Sequence, residues 1–300
     1  TWLRLVEGEV RMTEAVLGII GGSGLYAIEG LTNAEWRTVE TPWGAPSDDL
    51  LFGELDGAQL VFLPRHGRGH RLSPGGINYR ANIDAMKRAG VTDVISVSAC
   101  GSFREEMAPG DFVLVDQFID RTIAREKSFF GNGMVAHVSV AHPTCPRLSD
   151  ALEGASREIG INTHRGGTYL AMEGPQFSSI AESRMYRDVW AADVIGMTNM
   201  PEAKLAREAE LDYATVAMVT DYDSWRPQGE VDVTAILATL AKNTANAARL
   251  IAAVAPRLSG NREPCPHGCD RALEFALITA PEARDPVLLA KLDAVAGRVL

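Results

Sequence analysis

The sequence predicts a single α/β domain with a mostly parallel or mixed sheet. Three observations carry that expectation. Short, β-branched, nearly continuous apolar runs recur along the chain, as strands buried on both faces require. Stretches of helical spacing lie between several of them. No internal repeat or low-complexity tract interrupts the alternation, and 300 residues suffice for a full core.

The strand-like runs cover 16–20, 60–63, 94–98, 112–115, 168–172, 194–197 and 213–219. The first predicted helix is 77–88, stopped by Gly90, and the second is 149–159, stopped by Gly160. A third, 201–210, opens on Pro201 at a permitted first-turn position. The longest spans 233–254, where Leu237, Leu240, Ala241, Thr244, Ala248 and Ile251 mark a core face. A Pro- and Gly-rich stretch at 259–268 reads as a linker, and 271–300 as one or two terminal helices. The expected organisation is an N-terminal extension at 1–12, a main domain at 13–258 and a C-terminal helical extension at 259–300.

Composition narrows the function. Hydrophobic residues make up 46% and charged residues 23%, which excludes whole-chain disorder. A net charge of −10 argues against a broad nucleic-acid surface. No apolar run approaches a membrane span, and residues 1–12 lack the apolar core of a signal peptide. Cys100, Cys145, Cys265 and Cys269 are too few for a disulfide scaffold, so a reducing cytoplasm is expected.

Five segments at strand ends could carry chemistry. Gly21-Gly22-Ser23-Gly24 lacks the third glycine of a dinucleotide loop and the lysine of a Walker loop. It is a plain turn or a loop offering N–H groups and the Ser23 hydroxyl to an anion. Arg65-His66-Gly67-Arg68-Gly69-His70-Arg71 concentrates cationic groups in an acidic chain, as an anion grip would. Its glycines spoil the helix that a His66/His70 zinc pair needs. Ser98-Ala99-Cys100-Gly101-Ser102 ends another strand. In Glu173-Gly174-Pro175-Gln176-Phe177-Ser178-Ser179, Phe177 either anchors the loop or faces a flat ring. Asp221 and Asp223 project to one side of an extended segment, so the pair can hold a proton between them or serve as cap or metal ligands.

Together with Asn78-Tyr79-Arg80-Ala81-Asn82 and Met197-Thr198, these motifs occur in an order that resembles the trimeric purine nucleoside phosphorylase family, over about residues 16–254. Within that family the resemblance is nearest to members that cleave 5′-methylthioadenosine in purine and methionine salvage. It implies a phosphorylase-like fold: a central mixed sheet flanked by helices, in a homotrimer with sites at subunit boundaries. It implies phosphorolysis, with inorganic phosphate as co-substrate and no cofactor. Ser23, Arg65, His66, Ser98, the Ala99 backbone and Thr198 would then hold phosphate, Met197 the ribose and Phe177 the base. Asp221 would protonate the purine at N7 and Asp223 accept from the exocyclic amine, or the two roles could be exchanged. Where 6-oxopurine members carry asparagine and glutamate, this chain has Asp221 and Ser178, which favours adenine. A 6-oxopurine or methylthioinosine phosphorylase is the alternative. Val233, Ile236 and Leu237 would cover a 5′-methylthio group, and His137 from a neighbouring subunit would close the site. Cys265-Pro266-His267-Gly268-Cys269 runs beyond the family pattern and offers three soft ligands, but no fourth stands out, so no metal is assigned. In the tail, Leu277 or Ile278 could touch the 5′ pocket.

Overall fold

The computed structural model describes residues 15–22, 24–26, 28–226, 233–260 and 262–300, apart from the side chains of Val233 and Ala235. The expected N-terminal extension lies outside the described residues. The strands are β1 (Val16–Gly21), β2 (Thr32–Arg37), β3 (Leu50–Leu55), β4 (Ala58–Pro64), β5 (Asp93–Ser102), β6 (Phe112–Val115), β7 (Gln117–Arg121), β8 (Thr163–Arg165), β9 (Thr168–Met172), β10 (Val194–Gly196) and β11 (Asp212–Tyr222). They form one mixed sheet in the order β2-β3-β4-β1-β5-β10-β9-β7, with β11, β6 and β8 branching from β5.

The branch is the main topological feature. Through Ser96, β5 lies between β1 and β11, parallel to both. At Gly101 and Ser102 it pairs with β10, antiparallel. One long strand therefore belongs to both arms of the sheet.

Among the described residues seven α-helices flank it: α1 (Tyr79–Arg88), α2 (Pro146–Glu158), α3 (Ile180–Arg184), α4 (Asn199–Glu208), α5 (Val233–Leu258), α6 (Pro286–Lys291) and α7 (Asp293–Ala296). The Asn78 carboxamide accepts from Ala81 N–H and starts α1, and Gly90 at φ +83° ends it. Successive residues of β11 feed opposite cores. Tyr213, Ala217 and Val219 join the side of α1 and α4; Ala214, Val216 and Met218 join the side of α2 and α5. This two-sided burial explains the continuous apolar runs.

Helix α5 differs from the expected register. Asn243, Ala247, Leu250, Ile251 and Val254 are buried, whereas Ala241 is exposed and Leu237 is 59% exposed. The apolar residues of this helix exceed one stripe, and the more buried C-terminal half sets its face. The segment after α5 has only short helices and 3₁₀ turns, yet Leu273, Ala276, Leu292 and Val295 enter the core of α1 and α4. No helix among the described residues is long and apolar enough to cross a membrane.

Candidate active site

Because β1, β4, β5 and β11 are parallel, their carboxyl ends open on the same side of the sheet. There they enclose a cavity of about 510 Å³, closed on another side by α5 and by the turn after β10. Of the residues expected to hold phosphate, Arg65, His66, Ser98, Ala99 and Thr198 all line it. Ser23 lies outside the described residues.

The residues at this end differ in availability. Thr198 stands at the N-cap of α4 without capping it through its side chain. Ser98 Oγ donates to Asn199 Oδ1 at 2.8 Å, so an incoming anion would have to take that hydrogen over. His66 Nδ1 donates to Leu72 O at 2.9 Å, leaving Nε2 as the acceptor of a neutral ring. Burial pushes the His66 pKa down to about 4, and the neighbouring Arg65 charge acts in the same direction. The ring stacks on His70, centroids 4.2 Å apart.

Arg65, also expected to hold phosphate, is largely committed to protein partners. Its Nε donates to Glu202 Oε2 at 2.8 Å, its Nη2 to Glu202 Oε1, Ser96 Oγ and Ile20 O, and its Nη1 to Val97 O at 2.9 Å. Only the second N–H of Nη1 is left. Arg65 thus bolts the ends of β1 and β5 to α4. Glu202 also accepts from Ser96 Oγ and Tyr213 OH. Asn199 Nδ2 donates to Ser96, Tyr213 and Thr215. This buried polar layer beneath Ser98 and Thr198 has one sequence signal: Asn199 and Glu202 follow Met197-Thr198 on the next turn.

At the other end, Asp221 and Asp223 line the cavity across from Gly101. A Cβ on Gly101 would stand 3.2 Å from Asp221 Oδ2 and 3.4 Å from Asp223 Cβ, so both acids crowd this glycine. Burial pushes Asp221 up to about 6, against the Thr220 hydroxyl that donates to its Oδ1 at 2.7 Å; the Asp223 charge adds to the rise. Burial also raises Asp223, whose Oδ2 is buried without a hydrogen-bond partner among the described residues. Burial thus favours the protonated form of both carboxyls, and one of them, Asp223, keeps an unpaired oxygen.

Phe177, 51% exposed, and Met197 line the cavity as expected. Ser178 does not: it is buried behind, its Oγ 3.8 Å from Met172 Sδ and its carbonyl accepting from Ser224 Oγ. Gly174, at φ +68°, leaves no room for a Cβ, which would lie 2.5 Å from Met197 Sδ. Arg125, absent from the sequence reading, joins the two: Nη1 donates to Met197 O and Met200 O, Nη2 to Glu173 O. On α5, Ile236, Leu240 and Thr244 line the cavity at a spacing of four. Leu237, one residue off that row, does not, so it leaves the expected 5′ set; the Val233 side chain lies outside the described residues. His137 is exposed and lines no part of its own chain's cavity, and neither Leu277 nor Ile278 reaches it. The two tail residues instead pair with the His137 loop, through an Ala136–Leu277 bridge and an Ile278 N–H to Val135 O bond.

A sheet of this topology with the Ser98 and Thr198 hydroxyls at one end of its cavity and paired acids at the other defines a class: the chain belongs to the phosphorylase superfamily, whose sequence profile matches residues 16–256. The particular relatives it resembles are S-methyl-5′-thioadenosine phosphorylases. That of Cereibacter sphaeroides is 67% identical over 96% of this chain and 99% of its own length. That of Bradyrhizobium diazoefficiens is 63% identical, covering 96% and 99%. A methylthioadenosine phosphorylase from an Antarctic soil metagenomic library superposes with a TM-score of 0.89 at 47% identity, covering 94% of this chain and 98% of that one.

Proposed function

We propose that the chain cleaves S-methyl-5′-thioadenosine with inorganic phosphate, giving adenine and 5-methylthioribose 1-phosphate. The observation that carries this reading is the pair of acids, Asp223 buried and Asp221 half-buried, at one end of a cavity whose far end presents Ser98, Thr198 and His66. It agrees with the names of the relatives.

The chemistry follows from the two ends. The glycosidic bond breaks through an oxocarbenium-like state. Phosphate at Ser98, the Ala99 backbone, Thr198 and His66 stabilises the cation from below and captures it. The purine would depart as an anion, so a proton delivered to N7 lowers the barrier. Asp221, which keeps its proton to about pH 6, is the donor. Asp223, with Oδ2 unpaired, accepts from the 6-amino group. A 6-oxo group would instead set lone pairs against that oxygen. Phe177 covers the base, Met197 lies by the ribose, and Ile236 with Leu240 faces the 5′ substituent. The reaction unit is the 13–258 domain. The active form is a homotrimer in which His137 of one subunit closes the next subunit's site; an active monomer in sedimentation experiments would contradict this.

The test is base release from methylthioadenosine and methylthioinosine, with and without phosphate. Adenine release that requires phosphate, with methylthioinosine the poorer substrate, supports the reading. Equal rates in phosphate-free buffer, or preference for methylthioinosine, would overturn it.

A further inference from the structure

Three cysteines that form no disulfide converge on one carboxylate. Cys145 caps α2, Cys265 and Cys269 flank the turn after α5, and Asp212 begins β11. One ligand atom from each lies within 4.8 Å of all the others, and all four residues are buried. The Cys265–Cys269 segment supplies two of the four groups, and Cys145 and Asp212 supply the other two from elsewhere in the chain. His267 takes no part: it is exposed and stacks on His142.

Asp212 supplies the independent observation. It is fully buried, its Oδ2 is held by Arg147, with Arg262 2.9 Å away, and its Oδ1 has no hydrogen-bond partner among the described residues. A buried carboxylate oxygen left unpaired beside three thiols lacks an electrophile. Arg147 and Arg262 also pair with the buried Asp93, so the two guanidiniums balance the two carboxylates and leave the charge of the three thiolates to the cation.

We propose that Cys145, Cys265, Cys269 and Asp212 Oδ1 form a closed structural site for one zinc ion. Thiolates around tetrahedral zinc stand roughly 3.8 Å apart, given Zn–S bonds of about 2.3 Å. Cys265 and Cys269 Sγ, now 3.0 Å apart, need only a small side-chain rotation to open around the ion. A disulfide would use two of the three thiols and leave the third thiol and the carboxylate unexplained; the ion uses all four groups. Four protein ligands leave no open position, so the metal does no chemistry on substrate. It also sits at the far end of β11 from the acids. Asp212 and Asp221 are separated by nearly the length of the strand, roughly 30 Å. Its effect is on architecture: it clamps the start of the 262–300 segment, which further on pairs with the His137 loop.

The full chain, purified from zinc-supplemented cells without chelator, should carry about one zinc per chain by elemental analysis. Refilled with cobalt(II), the wild type should show thiolate-to-cobalt charge transfer and tetrahedral visible bands. Cys269→Ser should bind zinc at least about tenfold more weakly in chelator competition, and Asp212→Asn should shift the cobalt spectrum. The cobalt measurement on wild type stands even if a variant fails to fold. Three results would overturn the proposal: wild type that stays metal-free after zinc addition, a cobalt complex without thiolate bands, or a Cys265–Cys269 disulfide found by alkylation and mass spectrometry in freshly purified, metal-free protein.

Discussion

Arg65 and Glu202 meet as a two-point ion pair, Nε to Oε2 at 2.8 Å and Nη2 to Oε1 at 3.1 Å, with both side chains shut away from solvent. Removing one partner strands the other charge, which costs about 3–5 kcal/mol. Glu202→Ala and Arg65→Ala should both lower the urea midpoint substantially, and Arg65→Ala should not act on the phosphate KM alone. A stable Arg65→Ala protein with only a raised phosphate KM would show that the guanidinium serves phosphate, not the frame.

Asp221→Asn should lower kcat by about 10²–10⁴, the usual weight of a placed general acid. In wild type, kcat/KM should fall as pH rises above about 6, where the acid loses its proton. A variant that keeps the wild-type rate and alkaline limb would remove Asp221 from this role.

The same group makes a stability prediction of opposite sense to most carboxylates. Its folded pKa, about 6, exceeds the unfolded value of about 3.9. The stability it contributes is whole below the unfolded pKa and is lost as pH rises through 6. Asp221→Asn should therefore raise Tm at pH 8 and leave it nearly unchanged at pH 4. A lower Tm at pH 8 would contradict a destabilising buried charge.

His66 is neutral in the free site because burial disfavours its cation. With Arg65 already paired to Glu202, a bound phosphate dianion would draw a proton onto His66 Nε2. Calorimetry at pH 8, where phosphate itself is mostly dianionic, should show a binding heat that varies with buffer ionisation enthalpy. His66→Asn should abolish that variation. A wild type without buffer dependence would exclude proton uptake.

Ile236 and Leu240 put two aliphatic side chains one helical turn apart on the cavity wall. Such a wall is worth about 1–3 kcal/mol for a methylthio group over a hydroxyl, or roughly 10–200-fold in kcat/KM. Leu240→Gln should erode the preference of methylthioadenosine over adenosine. An unchanged ratio of the two kcat/KM values would place the 5′ pocket elsewhere.

The seven apolar runs all became strands, because two-sided burial writes itself into composition. Of the four strands that escaped notice, β2, β7 and β8 are edge segments with no fully buried residue, and β3, inside the sheet between β2 and β4, has Gly53 and Glu54 interrupting its apolar run. The motifs at strand ends pointed to Arg65, His66, Thr198 and the two acids, and one cavity brings them together. Asn199, Glu202 and Arg125 were not, since their work is to hold other residues, and such partnerships join positions up to 137 residues apart. Leu237 misled because helix α5 carries more apolar residues than one face can bury. The cysteine cluster was half visible: local spacing showed Cys265 and Cys269, and only folding could bring Cys145 and Asp212 to them.

Strand β5 passes from Ser98 at the hydroxyl-bearing end of the cavity to Gly101 at the acid end without a break. The separation between the two ends of the cavity is thus ruled off in peptide units, three residues or roughly 10 Å. Loops around it can vary in length without changing that gauge. A one-residue insertion between Ser98 and Gly101 cannot, because it would reverse which face every later side chain meets and uncouple the β10 and β11 arms at once.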